Sequence, residues 1–181
     1  MALKYVAVQT TAICLAAVSQ NGLALKHSDV RTSEVFLAAV SQDGLAIRFA
    51  DQTEEIALAA VSQNGMALKI VDSPTAEVEL AAVIQDGTAL KFVGTQTNGL
   101  AEAAVRQDGM TLRLVENKTN KVCRLAVKQN GMALRLVRKQ TIKLCTFAVK
   151  QDSAAIRFVD KEIMEAAAAD WFPLTPPEQP P

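Results

Sequence analysis

The sequence predicts an all-α fold: an α-solenoid of about seven 22-residue helix-turn-helix repeats, followed by a C-terminal capping helix. Three observations support this prediction. A glutamine recurs every 22 residues, except for a single spacing of 21. A threonine stands ten residues before each of these glutamines, where a helix N-cap is expected. The positions that stay constant among the copies follow a helical period and not a period of two.

The main alternative is β-structure, because Asn-Gly and Asp-Gly pairs between apolar runs are typical of hairpin turns. The variable positions argue against it. Leu80 and Ile84 in one copy become Glu102 and Arg106 in the next, and positions four apart lie on one face of a helix. Alanine, abundant at the constant positions, also favours helices over strands. We therefore expect helices.

Each unit is expected to contain two short helices. Threonine caps the first helix, and the glycine of the Gln-Asn/Asp-Gly segment is expected to end it in a left-handed conformation. A second, shorter helix follows, as from Thr88 to Val93, and ends in a polar turn such as residues 72–74. Helices this short are unstable alone, so stacked units must bury each other's apolar faces.

The chain is predicted to divide into a tandem repeat array over residues 1–159, a capping helix over 160–172 and a Pro-rich, disordered tail over 173–181. The first residues match the second half of a unit, so the array begins in mid-repeat. We expect this open end to allow oligomerisation. No apolar run reaches the length of a membrane span and no secretory signal pattern is present, so no membrane contact is expected.

Charge is balanced overall, with 19 basic and 19 acidic side chains, but it is distributed unevenly. Residues 101–160 hold 12 basic and 5 acidic side chains, a net charge of +7, whereas residues 1–100 have a net charge of −4. The three cysteines, Cys14, Cys123 and Cys145, occupy one repeat position. We interpret them as half-buried fillers in a reducing compartment and not as a disulfide framework.

The recurring glutamines are interpreted as a structural ladder. They lie seven residues after an aliphatic anchor, which places them on the inward helix face beside the constant alanine. We expect each to be a buried amide that hydrogen-bonds the turn of the next unit, with ligand binding as the alternative. The ladder consists of Gln20, Gln42, Gln63, Gln85, Gln107, Gln129 and Gln151.

A second ladder contains one cation at a fixed position in the second, shorter helix of each unit. A cation near a helix C-terminus is favourable by itself, so a structural role is expected, and a track for an anionic polymer is the alternative. The ladder consists of Lys4, Lys26, Arg48, Lys69, Lys91, Arg113, Arg135 and Arg157.

The variable face of the first helix is the predicted partner-binding face, because side chains that vary on a rigid solenoid are where recognition is usually found. In the early units this face is apolar and contains Leu15, Leu37, Leu58 and Leu80. In the later units it is basic and contains Arg106, Arg124, Lys128 and Lys150.

Catalysis has little support in the sequence. The single histidine, His27, occupies a position filled elsewhere by Phe49, Ile70 or Phe92, which indicates packing. The sequence shows no nucleophile–base set, no phosphate-binding glycine loop and no metal-ligand spacing. We therefore expect a protein that is not an enzyme and has no catalytic residue, cofactor or metal.

The recurring AV-x-Q-N/D-G-x-A-L-K pattern, preceded by a capped aliphatic helix, resembles the bacterial and protist repeat family known as domain of unknown function 4116. The resemblance covers essentially residues 1–159. It implies a helical repeat array of the kind found within larger proteins of intracellular bacteria, and it supplies no activity or catalytic residue. We accordingly expect a cytoplasmic protein, acting within or delivered into a host cell. The units here are shorter than is typical of that family, so the tilt between units is expected to differ.

Three hypotheses for function follow. The leading one is a non-catalytic helical-repeat scaffold that binds another macromolecule, first of all a protein, as an effector, inhibitor or adaptor. The second is binding of nucleic acid or another polyanion through the basic segment 101–160. The third is a structural or self-assembling repeat fragment.

Overall fold

The computed structural model describes residues 3–171, without the side chains of 168–170, and contains α helices that alternate with short 3₁₀ helices. The α helices, α1 to α8, are Thr11–Gln20, Ser33–Gln42, Glu54–Gln63, Ala76–Gln85, Asn98–Gln107, Asn120–Gln129, Ile142–Gln151 and Lys161–Trp171. The 3₁₀ helices, η1 to η8, are Leu3–Tyr5, Gly22–His27, Gly44–Phe49, Gly65–Ile70, Gly87–Phe92, Gly109–Leu114, Gly131–Leu136 and Ser153–Phe158. No β-strand occurs within this range, so the predicted α-solenoid is confirmed and the hairpin alternative is wrong.

The threonine before each of α1 to α7 is the N-cap that the sequence predicts. Its backbone is extended, and its hydroxyl oxygen accepts a hydrogen bond from the N–H three residues later, as Thr97 does from Leu100 at 3.2 Å. Each cap satisfies one of the backbone donors that a helix leaves free in its first turn. The seven starts are therefore determined locally, by one residue each.

The turn between the two helices of a unit differs from the predicted left-handed glycine cap. No glycine within residues 3–171 has a positive φ. The α helix ends instead at an extended asparagine or aspartate. The backbone N–H of this residue bonds the α helix before it, and its side-chain oxygen bonds the 3₁₀ helix after it. In the first unit, the Asn21 N–H donates to the Ala17 carbonyl, and Asn21 Oδ1 accepts from the Leu23 N–H at 3.0 Å. The same residue thus closes α1 and caps η2.

This position requires glycine because the neighbouring unit approaches it closely, and not because of its backbone φ angle. A Cβ atom on Gly65 would lie 2.5 Å from the carbonyl oxygen of Ala82 in the next α helix. This distance is shorter than the non-bonded contacts that Cβ atoms make in proteins. Ala82 is itself fully buried, and a larger side chain there would hold the units apart. The same approach, always closer than 3.0 Å, occurs at Gly22, Gly44, Gly87, Gly109 and Gly131.

The stacked units share one continuous hydrophobic core. The aliphatic anchor in the first turn faces the preceding α helix and is buried in α2 to α6, as for Val35 and Val122. Its counterpart in α1, Ile13, is 39% exposed, because no α helix precedes it in the described range. At the other end α8 packs on α7, where the Trp171 indole N–H donates to Thr146 Oγ1 at 2.8 Å.

None of the helices within residues 3–171 has both the length and the apolar character needed to cross a membrane. The predicted Pro-rich tail, residues 173–181, and Phe172 lie outside the described residues.

We predict that Gly109→Ala lowers the free energy of unfolding by about 2–3 kcal/mol, because the added methyl group meets the Ala126 carbonyl of the next unit. Gly99→Ala is the matched control. Gly99 is an exposed residue of α5, and an added Cβ atom there meets only Thr97 Oγ1 at 3.7 Å. This change should stabilise the chain by up to about 1 kcal/mol through helix propensity. Urea denaturation of both variants measures the difference, and equal effects would show that the close approach is misassigned.

Candidate functional site

The glutamine ladder joins adjacent units, but not in the predicted way. Gln42 Oε1 accepts from the Gly22 N–H at 2.6 Å, and Gln129 Oε1 accepts from the Gly109 N–H at 2.6 Å. The bond therefore runs to the turn of the preceding unit, not the next one. The prediction of a buried amide is also wrong: these glutamines are exposed, whereas the turn glycines that they bond are buried. We call this bond the turn staple; it recurs in Gly44–Gln63, Gly65–Gln85 and Gly87–Gln107.

A second set of glutamines, which the sequence analysis missed, connects the loops that precede successive α helices. Gln52 Nε2 donates to the Ile70 carbonyl at 3.1 Å, while Gln52 Oε1 accepts from the Asp72 N–H at 2.7 Å. We call such a side-chain bridge between adjacent loops the loop staple. The glutamines that form it, spaced 43 or 44 residues apart and so present in every second unit, are Gln9, Gln52, Gln96 and Gln140.

The intervening units use other side chains for the same purpose. Between α2 and α3, the Arg31 guanidinium pairs with Asp51 at 3.5 Å. Between α4 and α5, the Glu79 carboxylate accepts from the Gly94 N–H at 2.7 Å. Before α6 the corresponding residue is Lys118, and within residues 3–171 no side chain bridges the loops before α6 and α7. Glu79 lies in α4, so its bond joins a helix to the next loop and takes the place of a loop staple. Among the consecutive pairs from α1 to α8, α6–α7 alone has neither a loop staple nor such a helix-to-loop bond in the described range.

The α6–α7 junction also lacks the turn staple. In the described residues Gly131 N–H makes no bond to Gln151. The Gln151 Nε2 donates to the Lys128 carbonyl at 3.1 Å and also to the Gln129 carbonyl at 3.4 Å, as Gln129 Nε2 does to the Gln107 carbonyl. Phe147 of α7, 45% exposed, stands at a position that is alanine in α1 to α5. A phenylalanine needs far more space than an alanine between two packed helices. The aliphatic anchor Leu144, whose counterparts in α2 to α6 are buried, is accordingly only half-buried.

The result is a groove of about 610 Å³ between α6 and α7. Its apolar surface comes from Cys123, Leu144 and Phe147. Five cations surround this surface, two from α6 and three from α7 and the loop before it. We call it the α6–α7 groove, and its cations are Arg124, Lys128, Lys139, Lys143 and Lys150.

These five cations form no ion pair with any side chain that the structure describes. Arg106, predicted to belong to the same basic face, differs. It pairs with Glu102 at 2.9 Å, and Lys121 contacts the same carboxylate at 2.6 Å. The hydrogen bond from Lys121 is the main reason why the pKa of the Glu102 carboxyl is lowered, and desolvation opposes it. The structure thus brings Arg124, Lys128 and Lys150 together, whereas Arg106 is paired with Glu102.

The apolar half of the predicted face is mostly part of the core. Leu15, Leu37 and Leu58 are partly buried and pack against the hydrophobic core. Leu80 is 41% exposed, and Ile84, one turn further along α4, is 60% exposed. The accessible apolar surface of this face is therefore restricted to α4.

The cysteine thiols lie deeper than predicted. All three are free and buried. Desolvation by burial raises the pKa of Cys145 to about 11, so this thiol stays protonated at neutral pH. It donates to Gln140 Oε1 at 3.2 Å, as Cys14 does to Gln9 Oε1 at 3.4 Å. Two of the cysteines thus support loop staples.

Four residues of the groove were not predicted from the sequence: Lys139, Lys143, Leu144 and Phe147. Signals for two of them were present. Phe147 stands at a position that is alanine in α1 to α5 and leucine in α6, and Lys143 stands at the position of Glu34, Glu55 and Glu77. The groove itself had no such signal, because it depends on bonds that are missing at one junction.

The stacked helix pairs and the exposed groove define this chain as a helical-repeat protein of the α-solenoid class. Residues 32–73 match the family described as Domain of unknown function (DUF4116), which confirms the predicted resemblance over that segment. The segment starts at the N-cap of α2 and extends past η4, so it contains two successive units. The glutamines of the loop staples also recur once in every two units, so their period is close to the length of this segment. No curated protein and no solved structure shows a significant match to the chain.

We predict that Gln96→Ala lowers the free energy of unfolding by about 1–2 kcal/mol, because it removes two hydrogen bonds between loops. Lys118→Ala, at the same repeat position, should change it by less than about 0.5 kcal/mol, because this side chain is exposed and bridges no described loop. Thermal and urea unfolding compare the two. A loss as large for Lys118→Ala as for Gln96→Ala would contradict the assignment of the missing staple.

Proposed function

We propose that this chain is a non-catalytic helical-repeat scaffold that binds an acidic region of a partner protein at the α6–α7 groove. One observation supports the proposal above the others: five cations without ion pairs in the described residues surround an apolar surface that the fold leaves open. An exposed apolar surface with a polar rim is typical of an interaction site.

The chemistry of the groove favours binding over catalysis. Arginine and lysine are fully protonated at neutral pH, so they attract anions but are poor general bases. The thiol that lines the groove, Cys123, is buried, and desolvation raises its pKa. A thiol in this state is a weak nucleophile.

Binding of nucleic acid or another polyanion is the second candidate, and the net charge of +7 over residues 101–160 favours it. The aromatic side chains in this segment are only Phe147 and Phe158. Recognition of single-stranded nucleic acid depends on several stacked aromatic rings, so binding here would be electrostatic and non-specific.

Self-association is the third candidate. Tyr5, Val8 and Ile13, at the N-terminal end of the described array, are 80%, 75% and 39% exposed. Such a cluster of apolar side chains favours contact with another apolar surface. Sedimentation velocity over a range of concentrations tests this candidate directly.

We predict that the double change Arg124→Glu and Lys128→Glu weakens binding of fluorescein-labelled poly-L-glutamate by more than about tenfold. Binding to the unchanged chain should fall steeply with salt, because exposed charges are screened. The free energy of unfolding should hardly change, since solvated charges contribute little to folding. Fluorescence anisotropy measures the first effect and thermal unfolding the second.

The control is Arg48→Glu with Lys69→Glu, which makes the same change in net charge on exposed residues outside the groove. It should leave most of the binding intact. Equal losses in the two double variants would mean that net charge, and not the groove, determines binding. A labelled oligonucleotide that binds much more tightly than poly-L-glutamate would favour the second candidate.

A further inference from the structure

The α6–α7 groove has the length of a short helix. Its two walls are α helices of 10 residues each, which corresponds to about 15 Å at the usual rise per residue. About three turns of a third helix would span this length. A helix in a groove is a common mode of peptide recognition.

The apolar surface of the groove is a helix-packing surface without its usual cover. Leu144 occupies the anchor position that a preceding α helix buries in α2 to α6. Phe147 lies three residues later on the same face of α7, and Cys123 faces them from α6. Residues three apart on one helical face offer a surface that an apolar stripe of another helix can cover.

The cations lie on both sides of this surface. Arg124 and Lys128 are four residues apart on α6, so they form one row. Lys143 and Lys150 are seven residues apart on α7 and form a second row, with Lys139 in the loop before it. An occupant complementary to both rows needs carboxylates on either side of its apolar stripe.

We propose that the α6–α7 groove binds a short amphipathic helix of a partner protein, in which one apolar stripe is flanked on both sides by glutamate or aspartate. This rests on the proposed function and names the chemistry of its partner. A phosphate backbone would satisfy the cations but would leave Leu144 and Phe147 uncovered. An acidic amphipathic helix satisfies both.

The missing loop staple explains why this junction can receive a helix. In the first and last units a cysteine donates to the loop-staple glutamine, as Cys14 does to Gln9. Cys123 occupies the same position in the α6 unit, beside Lys118. Lys118→Gln should therefore complete a staple to the Leu136 carbonyl and the Arg138 N–H, and hold α6 and α7 close together. Lys118 does not line the groove, so this change leaves every lining residue in place.

The test uses two synthetic, fluorescein-labelled peptides of about three helical turns. One has leucines at helical spacing with glutamates at the remaining positions, and the other has the same composition in scrambled order. Fluorescence anisotropy with the full chain measures both affinities, and the charge-reversal variants show whether binding occurs at the groove. We expect the patterned peptide to bind at least about tenfold more tightly than the scrambled one. We also expect its far-ultraviolet circular dichroism to become helical on binding.

Three variants sharpen this test. Phe147→Ala and Lys118→Gln should each weaken binding of the patterned peptide by about tenfold or more, whereas Lys118→Gln should raise the melting temperature. Leu80→Ala, which removes an exposed apolar side chain of α4, should leave binding unchanged.

The outcomes separate this inference from the proposed function. Equal affinities for the two peptides, both lost on charge reversal, would overturn the amphipathic helix and leave an acidic partner in place. No binding of either peptide, with tight binding of an oligonucleotide, would overturn both proposals. A dimer of the chain that Phe147→Ala abolishes would also overturn the inference, since a second copy would then occupy the groove.

Discussion

The structure depends on one contact: the approach of a turn glycine to the backbone carbonyl of a buried alanine in the next unit. Because this contact joins two backbones, it leaves no room for a Cβ atom on one side and only a methyl group on the other. It brings the glycine N–H near the glutamine that ends the α helix of that alanine, and the turn staple forms there at each junction from α1–α2 to α5–α6. In the described residues Gly131 makes the same close approach without the staple, so the approach alone does not produce it. Neither helix of a unit is long enough to be stable by itself, and the units are ordered by their neighbours.

The loop staples add a second period to this stack. Glutamines form them in alternate units, and an ion pair forms one between α2 and α3. Between α4 and α5 a carboxylate of α4 bonds the next loop in their place. The repeating structural unit is therefore a pair of helix-turn-helix modules, and the family match over residues 32–73 covers one such pair. At α6–α7 both the turn staple and the loop staple are missing within the described residues. The same junction contains the bulky Phe147 and five cations without ion pairs in the described residues, and there the scaffold presents a groove.

Much of the fold could be predicted from the sequence because its signals are local and repeated. Each threonine cap acts within one turn, so Thr10 to Thr141 indicated the starts of α1 to α7. The glycine was misread because Asn-Gly is equally compatible with a left-handed cap and with close approach of another unit, and only the position of the neighbour distinguishes them. The candidate site was predicted in part. Arg124, Lys128 and Lys150 do lie together, whereas the pairing of Arg106 and the open junction depend on contacts between units that no single repeat reveals.

We infer that the α6–α7 junction is open because it lacks the turn staple and the loop staple within the described residues. Amide hydrogen exchange, followed residue by residue with NMR, tests this most directly by comparing Gly109 with Gly131. The Gly109 N–H donates to Gln129 at 2.6 Å, whereas the Gly131 N–H, one unit later, makes no such bond within the described residues. We expect the Gly131 amide to exchange on the order of tenfold faster, or more, than the Gly109 amide. Equal protection of the two amides would contradict it.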